Sequence, residues 1–329
     1  MKGQELAETL EKYLNSQSKQ SVSYKVSDLN EVNMGWETEL FTLKASHGDG
    51  SEDLVLRIFS GEGDAVKASK EFNLMRKLEE VGYPVPSVYY LEPNGDVIGK
   101  PFILMRRIMG KTLDDSFWSD DSEVVQKGIM MLMGLFVNLH GLDSSAFKDV
   151  PNLRDEDVEY FLGFYRSVKD SYASWLTPVI DWLEENKPAD MKRSLCHMDY
   201  HGMNVMMEED KPYVIDWGAS MICDYRLDLA WTLLLYTTFG GAEFHEPLLS
   251  MYEGLSGEKV KDLIYFEVAA AARRIADVVK TVGGGSSGLR PDVVELMKQQ
   301  KSHFMKVHDF LEERTGFRLR EFDELLNSF

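Results

Sequence analysis

The sequence predicts an α+β fold in two lobes: a β-rich lobe over residues 1–108 and a mostly helical lobe over residues 109–329. Three observations lead there. Residues 22–108 set short β-branched and aromatic runs between Gly, Asn and Pro turns, with one helical stretch inside. Beyond Gly110 apolar residues recur at helical spacing over long segments. Two short strands joined by the polar turn Glu208-Glu209-Asp210 then interrupt those helices, and around them sit the chain's most chemically suggestive residues.

Leu6, Leu10 and Leu14 share one helical face and predict a helix over 1–20. Strands are expected over 39–44 and 53–59, on either side of the turn His47-Gly48-Asp49-Gly50. A helix over 65–81 is stopped by Gly82-Tyr83-Pro84-Val85-Pro86. Strands over 87–91 and 101–108 follow, separated by Pro93-Asn94-Gly95-Asp96. Helical periodicity marks 123–139, 155–185, 229–238, 258–282 and 291–314. Gly283-Gly284-Gly285-Ser286-Ser287-Gly288 reads as a flexible linker and not as a phosphate cradle, since no strand precedes it.

Composition narrows the class. The 329 residues are 44% hydrophobic and 28% charged, which is ordinary for a globular chain. A formal net charge of -19 argues against a nucleic-acid partner, because such binding rests on Lys and Arg at phosphates. Two cysteines, Cys196 and Cys223, make neither a disulfide framework nor a zinc-ligand spacing, and fit a reducing compartment. The N-terminus lacks the apolar core of a signal peptide. The longest apolar runs, 129–137 and 229–236, are shorter than the ~20 residues of a membrane span. A cytoplasmic protein with no membrane partner is expected.

The stretch His197-Met198-Asp199-Tyr200-His201-Gly202-Met203-Asn204, followed by Val214-Ile215-Asp216-Trp217-Gly218, places an Asp five residues before an Asn and a second Asp at the end of an apolar strand. Phosphoryl transfer from a nucleotide needs that order: a carboxylate to take the hydroxyl proton, then an amide and a carboxylate to hold magnesium on the phosphates. Asp199 is therefore the expected base, with Asn204 and Asp216 as Mg2+ ligands. A charge at the end of a strand such as Asp216 is costly unless it is paired or metal-bound. His197 is expected to brace the loop as a buried imidazole, and His201 faces either phosphate, substrate or solvent. Asp228 either caps the helix beside it or holds the loop through backbone N–H groups. In the first lobe, Arg57 at the end of a strand and Glu71 on the next helix would clamp the α- and β-phosphates, with Lys67 and Lys70 as competitors. The turn Met34-Gly35-Trp36-Glu37-Thr38-Glu39 would lie over the phosphates. Met105, Arg107 and Ile108 belong to an inter-lobe segment whose backbone would meet a purine edge, and the nucleotide is expected in the cleft between lobes.

Over about residues 22–280 the chain resembles the aminoglycoside phosphotransferase/choline kinase family, small-molecule kinases with a protein-kinase-like fold. The loop 197–204 and the Asp216 segment carry the resemblance. Leu54-Val55-Leu56-Arg57, Lys70-Glu71-Phe72, Tyr83-Pro84-Val85-Pro86, Pro101-Phe102-Ile103-Leu104-Met105, Asn138-Leu139-His140-Gly141-Leu142 and Asp228-Leu229-Ala230 support it. The resemblance implies ATP or GTP and Mg2+ as cofactors and assigns Asp199, Asn204, Asp216, Arg57, Glu71 and the 105–108 segment the roles given above. Arg57 stands where the better-studied relatives have Lys. The expected activity is a phosphotransferase acting on the hydroxyl of a small molecule, cationic or polyhydroxylated, toward which Glu243, Glu246, Glu267, Trp231 and Tyr236 would turn. The alternative is a nucleotide-binding module without catalysis. A protein kinase is disfavoured, because no Ala-Pro-Glu and only a short span follow Asp216.

Overall fold

Leucines four residues apart fall on one side of a helix, and Leu6, Leu10 and Leu14 are all buried along α1 (Gly3–Gln17). In the computed structural model, which describes residues 3–18, 23–32, 38–48, 50–61, 63–283, 295 and 298–328, the chain continues through β1 (Tyr24–Val32), β2 (Thr38–His47), β3 (Gly50–Phe59), α2 (Asp64–Glu80), β4 (Val88–Glu92), β5 (Phe102–Arg106) and β6 (Lys111–Thr112). Then come α3 (Ser122–His140), α4 (Val158–Tyr172), α5 (Thr177–Glu185), β7 (Arg193–Cys196), β8 (Val205–Glu208), β9 (Lys211–Val214), β10 (Met221–Asp224) and α6 (Tyr225–Leu235). Helices α7 (His245–Ser256), α8 (Leu263–Gly283), α9 (Lys301–Thr315) and α10 (Arg320–Asn327) complete the order. The fold is α+β and protein-kinase-like. Among the described residues no helix is long and apolar enough to cross a membrane.

Two compact units share the chain: residues 1–115, 145–153 and 202–218 in the first, residues 116–144, 154–201 and 219–329 in the second. The first unit carries an antiparallel sheet in the order β1-β2-β3-β5-β4. Alternation along β3 turns Leu54, Leu56 and Ile58 into one core with the α1 leucines, Leu43 and Leu104. Arg57, between Leu56 and Ile58, is placed on the other face by the same alternation. The first unit also holds the sheet β6-β8-β9. Gly110 permits its first pairing, since a Cβ there would overlap the carbonyl of Met207.

The second unit is built on helices around the antiparallel pair β7–β10, where Cys196 faces Met221. Asp121, Asp157 and Asp224 cap α3, α4 and α6 by accepting the N–H of the residue two further on, at 2.8, 2.8 and 3.0 Å. One continuous core of this unit runs from Val158 through Phe266 to Leu326.

Three expectations change here. The periodic stretch 155–185 is two helices, because Pro178 has no N–H and is tolerated only in a first turn. Thr177 Oγ1 donates instead to the Ser174 carbonyl at 2.6 Å. Helix α7, not expected from the sequence, carries Pro247 in its own first turn and ends at Gly257 with φ 75. The expected helix 258–282 begins only at Leu263. Residues 34–37 of the turn expected over the phosphates, Asp49 of the expected hairpin turn, residues 284–288 of the glycine-rich stretch and 291–294, 296 and 297 of the expected last helix lie outside the described residues.

Candidate active site

In the first unit the hairpin β8–β9 does the positioning. Val205 faces Val214, and the Ile215 N–H donates to the Asn204 carbonyl at 2.9 Å. Asn204 and Asp216 therefore lie at the same end of one hairpin. Asp216 has φ 63, a left-handed conformation that Asp tolerates better than most residues. Trp217 is fully buried against Tyr83 and donates its indole N–H to the Val214 carbonyl at 3.1 Å, which anchors the segment.

Arg57 reaches this end from β3. Its Nη2 donates to Asp216 Oδ1 at 2.8 Å and its Nη1 lies 3.1 Å from Glu71 Oε1. Burial pushes the Glu71 carboxyl up, Arg57 pulls it down, and the rise wins. Lys70 Nζ donates to the Gly218 carbonyl at 2.5 Å and ties α2 to the same segment. Gly218 lies beside the cluster: a Cβ there would be 3.5 Å from Asp216 Oδ1 and 3.8 Å from Arg57 Nη2. The structure thus brings Arg57, Glu71, Asn204 and Asp216 to one place. An amide oxygen and a half-exposed carboxylate are hard donors of the kind Mg2+ takes, so the donor set fits that ion. Met105, facing Val55 and Val88, is buried, as is Ile108, and the Arg107 N–H already donates to the Asp53 carbonyl at 2.9 Å.

In the second unit one face of α6 reads the loop in register. Asp228, Trp231 and Thr232 are spaced i, i+3, i+4 and so share a face. Asp228 accepts the N–H groups of His197 at 2.5 Å and Met198 at 2.7 Å. Trp231 Nε1 donates to Asp199 Oδ1 at 3.1 Å, and Thr232 Oγ1 donates to the Tyr200 carbonyl at 2.8 Å. Four consecutive loop residues are held by three residues of one helix. Asp224, not Asp228, caps that helix.

Met198 pays a conformational cost, with φ 68 in a region that bulky side chains avoid. Both of its peptide groups are fixed: Asp228 takes the N–H, and Arg273 Nη1 of α8 donates to the carbonyl at 2.9 Å. The effect is to aim Asp199. Burial pushes the Asp199 carboxyl up, but His201, 3.6 Å away, and the Trp231 N–H outweigh it and hold the group below the usual carboxylate range. His197 is fully buried.

His140, Cys196 and Asp228 are the one cluster of metal-ligating side chains among the described residues. Both Asp228 oxygens already accept backbone N–H groups, and burial pushes the Cys196 thiol up, away from the thiolate a metal requires. The cluster braces the loop. The contacts of Trp231 and Arg273 with the 198–199 segment were missed in the sequence reading. The stripe Asp228, Trp231, Thr232, in a helix whose other residues after Arg226 are apolar, was their visible signal, whereas Arg273, 75 positions from Met198, left none.

Residues 28–263 match the sequence profile of the phosphotransferase enzyme family, known as APH. The chain belongs to that family. Its fold is shared by a Ralstonia eutropha JMP134 protein named for its likeness to aminoglycoside phosphotransferases, at TM-score 0.70 and 18% identity over 93% of this chain and 98% of that one. It is also shared by aminoglycoside 2'-phosphotransferase-IIIa in complex with GDP, at TM-score 0.61 and 16% identity over 96% and 99%. A third likeness is aminoglycoside phosphotransferase APH(4)-Ia with ADP and hygromycin B, at TM-score 0.58 and 16% identity over 97% and 98%. Among curated proteins, acyl-CoA dehydrogenase family member 10 of Mus musculus is 26% identical over 51% of this chain, and family member 11 of Gallus gallus 21% identical over 53%. The matches span only 16% and 23% of those two longer proteins.

Proposed function

We propose that this APH-family chain is a small-molecule kinase that transfers the γ-phosphoryl group of ATP or GTP to a substrate hydroxyl. The observation that carries the reading is the ion-paired cluster in which Arg57 binds both Glu71 and Asp216, with Asn204 at the same hairpin end. Residues 1–108 would supply most of the nucleotide site, and residues 109–329 the base and the acceptor site.

Asn204 and Asp216 would hold Mg2+, which when bound screens the charge of the β- and γ-phosphates. Arg57, fixed by Glu71, would orient the α- and β-phosphates with its planar fork. Met105, Arg107 and Ile108 would border the base. Asp199, held ionised, would orient the acceptor hydroxyl and take its proton. The acceptor oxygen bonds to the γ-phosphorus as the bond from that phosphorus to the β-bridging oxygen breaks, and the nucleoside diphosphate leaves. His197 and Asp228 would keep the loop in place.

A nucleotide-consumption assay with and without Mg2+, run against aminoglycosides, amino alcohols, sugars and hydroxy acids, tests the reading. Turnover that Asp199→Ala abolishes while nucleotide binding persists supports it. Tight nucleotide binding with no turnover of any acceptor would instead mark a binding module.

A further inference from the structure

We propose that the acceptor carries an anionic group, a carboxylate or a phosphate, and that Arg273 and Arg274 of α8 bind it. The inference rests on the phosphoryl-transfer reading of Asp199 and gives that reading a substrate class.

Both arginines neighbour the base within the second unit. Arg273 donates to the carbonyl of the residue before Asp199, and its guanidinium lies 4.0 Å over the Trp231 ring whose N–H holds Asp199. Arg274 lies 6.0 Å from the centre of the same ring, and the Asp199 charge acts on it.

The partners of both are neutral. Arg273 has a backbone carbonyl and an indole face. Arg274 donates from Nε to His303 Nε2 at 3.0 Å and from Nη2 to Gln300 Oε1 at 3.1 Å, and faces the Phe304 ring. His303 is buried, with its pKa pulled down to about 3, and carries no charge at neutral pH. Among the described residues neither arginine has a carboxylate within ion-pair distance. Elsewhere in the unit Arg226 pairs with Asp224, Arg314 with Glu267 and Arg318 with Asp309. In a chain with 55 acidic and 36 basic residues, two adjacent half-buried arginines without such a partner stand out.

Asp277, further along α8, is another opposite charge acting on both. Burial pushes its carboxyl up against the pull of Arg273, Arg274 and Lys280, and it lies beyond ion-pair distance of both arginines. Half-buried cations without a directly paired carboxylate are costly, and a bound anion would relieve that cost. The guanidinium fork matches carboxylate and phosphate oxygens in pairs. Of the three acids expected to draw a cation, two are engaged elsewhere: Glu267 lies 2.5 Å from His245 and 2.6 Å from Arg314, and Glu246 accepts a hydrogen bond from Ser250.

The test is isothermal titration calorimetry of the full chain with D-glycerate, sn-glycerol 3-phosphate and kanamycin, for wild type, Arg274→Gln and Arg274→Lys. One of the two anions should bind, which separates carboxylate from phosphate. Its affinity should fall tenfold or more in Arg274→Gln and by less in Arg274→Lys, and kanamycin should not bind. Circular dichroism confirms that each variant is folded, and if Arg274→Gln is not, Arg274→Lys carries the comparison through its smaller loss of affinity. Neither anion binding, an anion affinity unchanged in the folded variants, or preferential binding of kanamycin overturns the proposal. Arg274-dependent anion binding without phosphoryl transfer to either anion would leave an anion site at the arginines and overturn its reading as an acceptor site. Phosphorylation of kanamycin but of neither anion would overturn the proposal and leave the kinase reading standing.

Discussion

Arg57 and Asp216, 159 positions apart in the chain, meet in an ion pair of 2.8 Å, and the same guanidinium holds Glu71 at 3.1 Å. One cation therefore links strand, helix and hairpin. A lysine has a single nitrogen and cannot span both carboxylates in the way a planar fork does. Arg57→Lys is expected to lower kcat/KM for the nucleotide by about tenfold, because one of two charge-assisted contacts is lost. Asp216→Asn should abolish the Mg2+ dependence together with turnover. Steady-state kinetics over a Mg2+ series checks both; an Asp216→Asn variant with unchanged Mg2+ response would contradict the ligand assignment.

Trp231 gives a second expectation. Phenylalanine keeps an aromatic ring for Arg273 to face and removes, with part of the indole, the N–H that Asp199 accepts at 3.1 Å. A hydrogen bond to a half-exposed carboxylate is worth on the order of 1 kcal/mol, so kcat should fall by about fivefold to tenfold in Trp231→Phe. Burial pushes the carboxyl up and His201 with the Trp231 N–H outweighs it, so without that N–H its pKa should rise. A base works only when deprotonated, so the acid limb of the kcat profile should move to higher pH. A lower kcat with an unmoved acid limb would mean that Trp231 merely packs.

Asp228 is fully buried and accepts two backbone N–H groups. Asp228→Asn keeps one acceptor oxygen but turns an amide NH2 toward the other donor. Leaving a buried donor unmatched beside a lost charge-assisted bond should cost about 3 kcal/mol. Urea denaturation should show a lower midpoint with an unchanged slope, and any residual enzyme should keep its KM for nucleotide. A midpoint within error of wild type would remove Asp228 from its bracing role.

Much of this was legible in the residues because it is local. The offset from Asp199 to Asn204 is short, and Val205 to Val214 is a hairpin closed by a two-residue turn, so spacing alone places Asn204 and Asp216 at one end. The α1 leucines and the alternation of β3 likewise report their own faces. Arg57 could be paired with Glu71 on paper as a strand cation and a helix carboxylate, but Lys67 and Lys70 stayed as competitors, since 14 positions and a turn at Gly61 and Gly63 separate the two. The second unit hid more. Pro178 and Pro247 both sit in first turns, but one breaks an expected helix and the other opens an unexpected one. Arg273 acts on Met198 through tertiary packing that no periodicity encodes.

His303 supplies the pH prediction. It lies stacked on Phe239, with ring centres 3.8 Å apart, and accepts from Arg274 Nε. Burial, followed by the charges of Arg274 and Lys306, pulls its pKa from 6.5 down to about 3. Between those values the unfolded chain binds a proton that the folded chain refuses, so stability rises with pH across the window. The contribution is complete above pH 6.5 and is lost as pH falls toward 3. Each pH unit inside the window is worth about 1.4 kcal/mol, so roughly 2 kcal/mol should disappear between pH 7 and pH 5 on account of this residue. His303→Gln keeps an oxygen to accept from Arg274 and cannot titrate. Unfolding free energies at pH 7 and pH 5 should therefore differ less in the variant than in wild type by about that amount. Equal pH dependence in the two proteins would mean that His303 protonates in the folded state as readily as in the unfolded one, and that its neutral contact with Arg274 does not persist in solution.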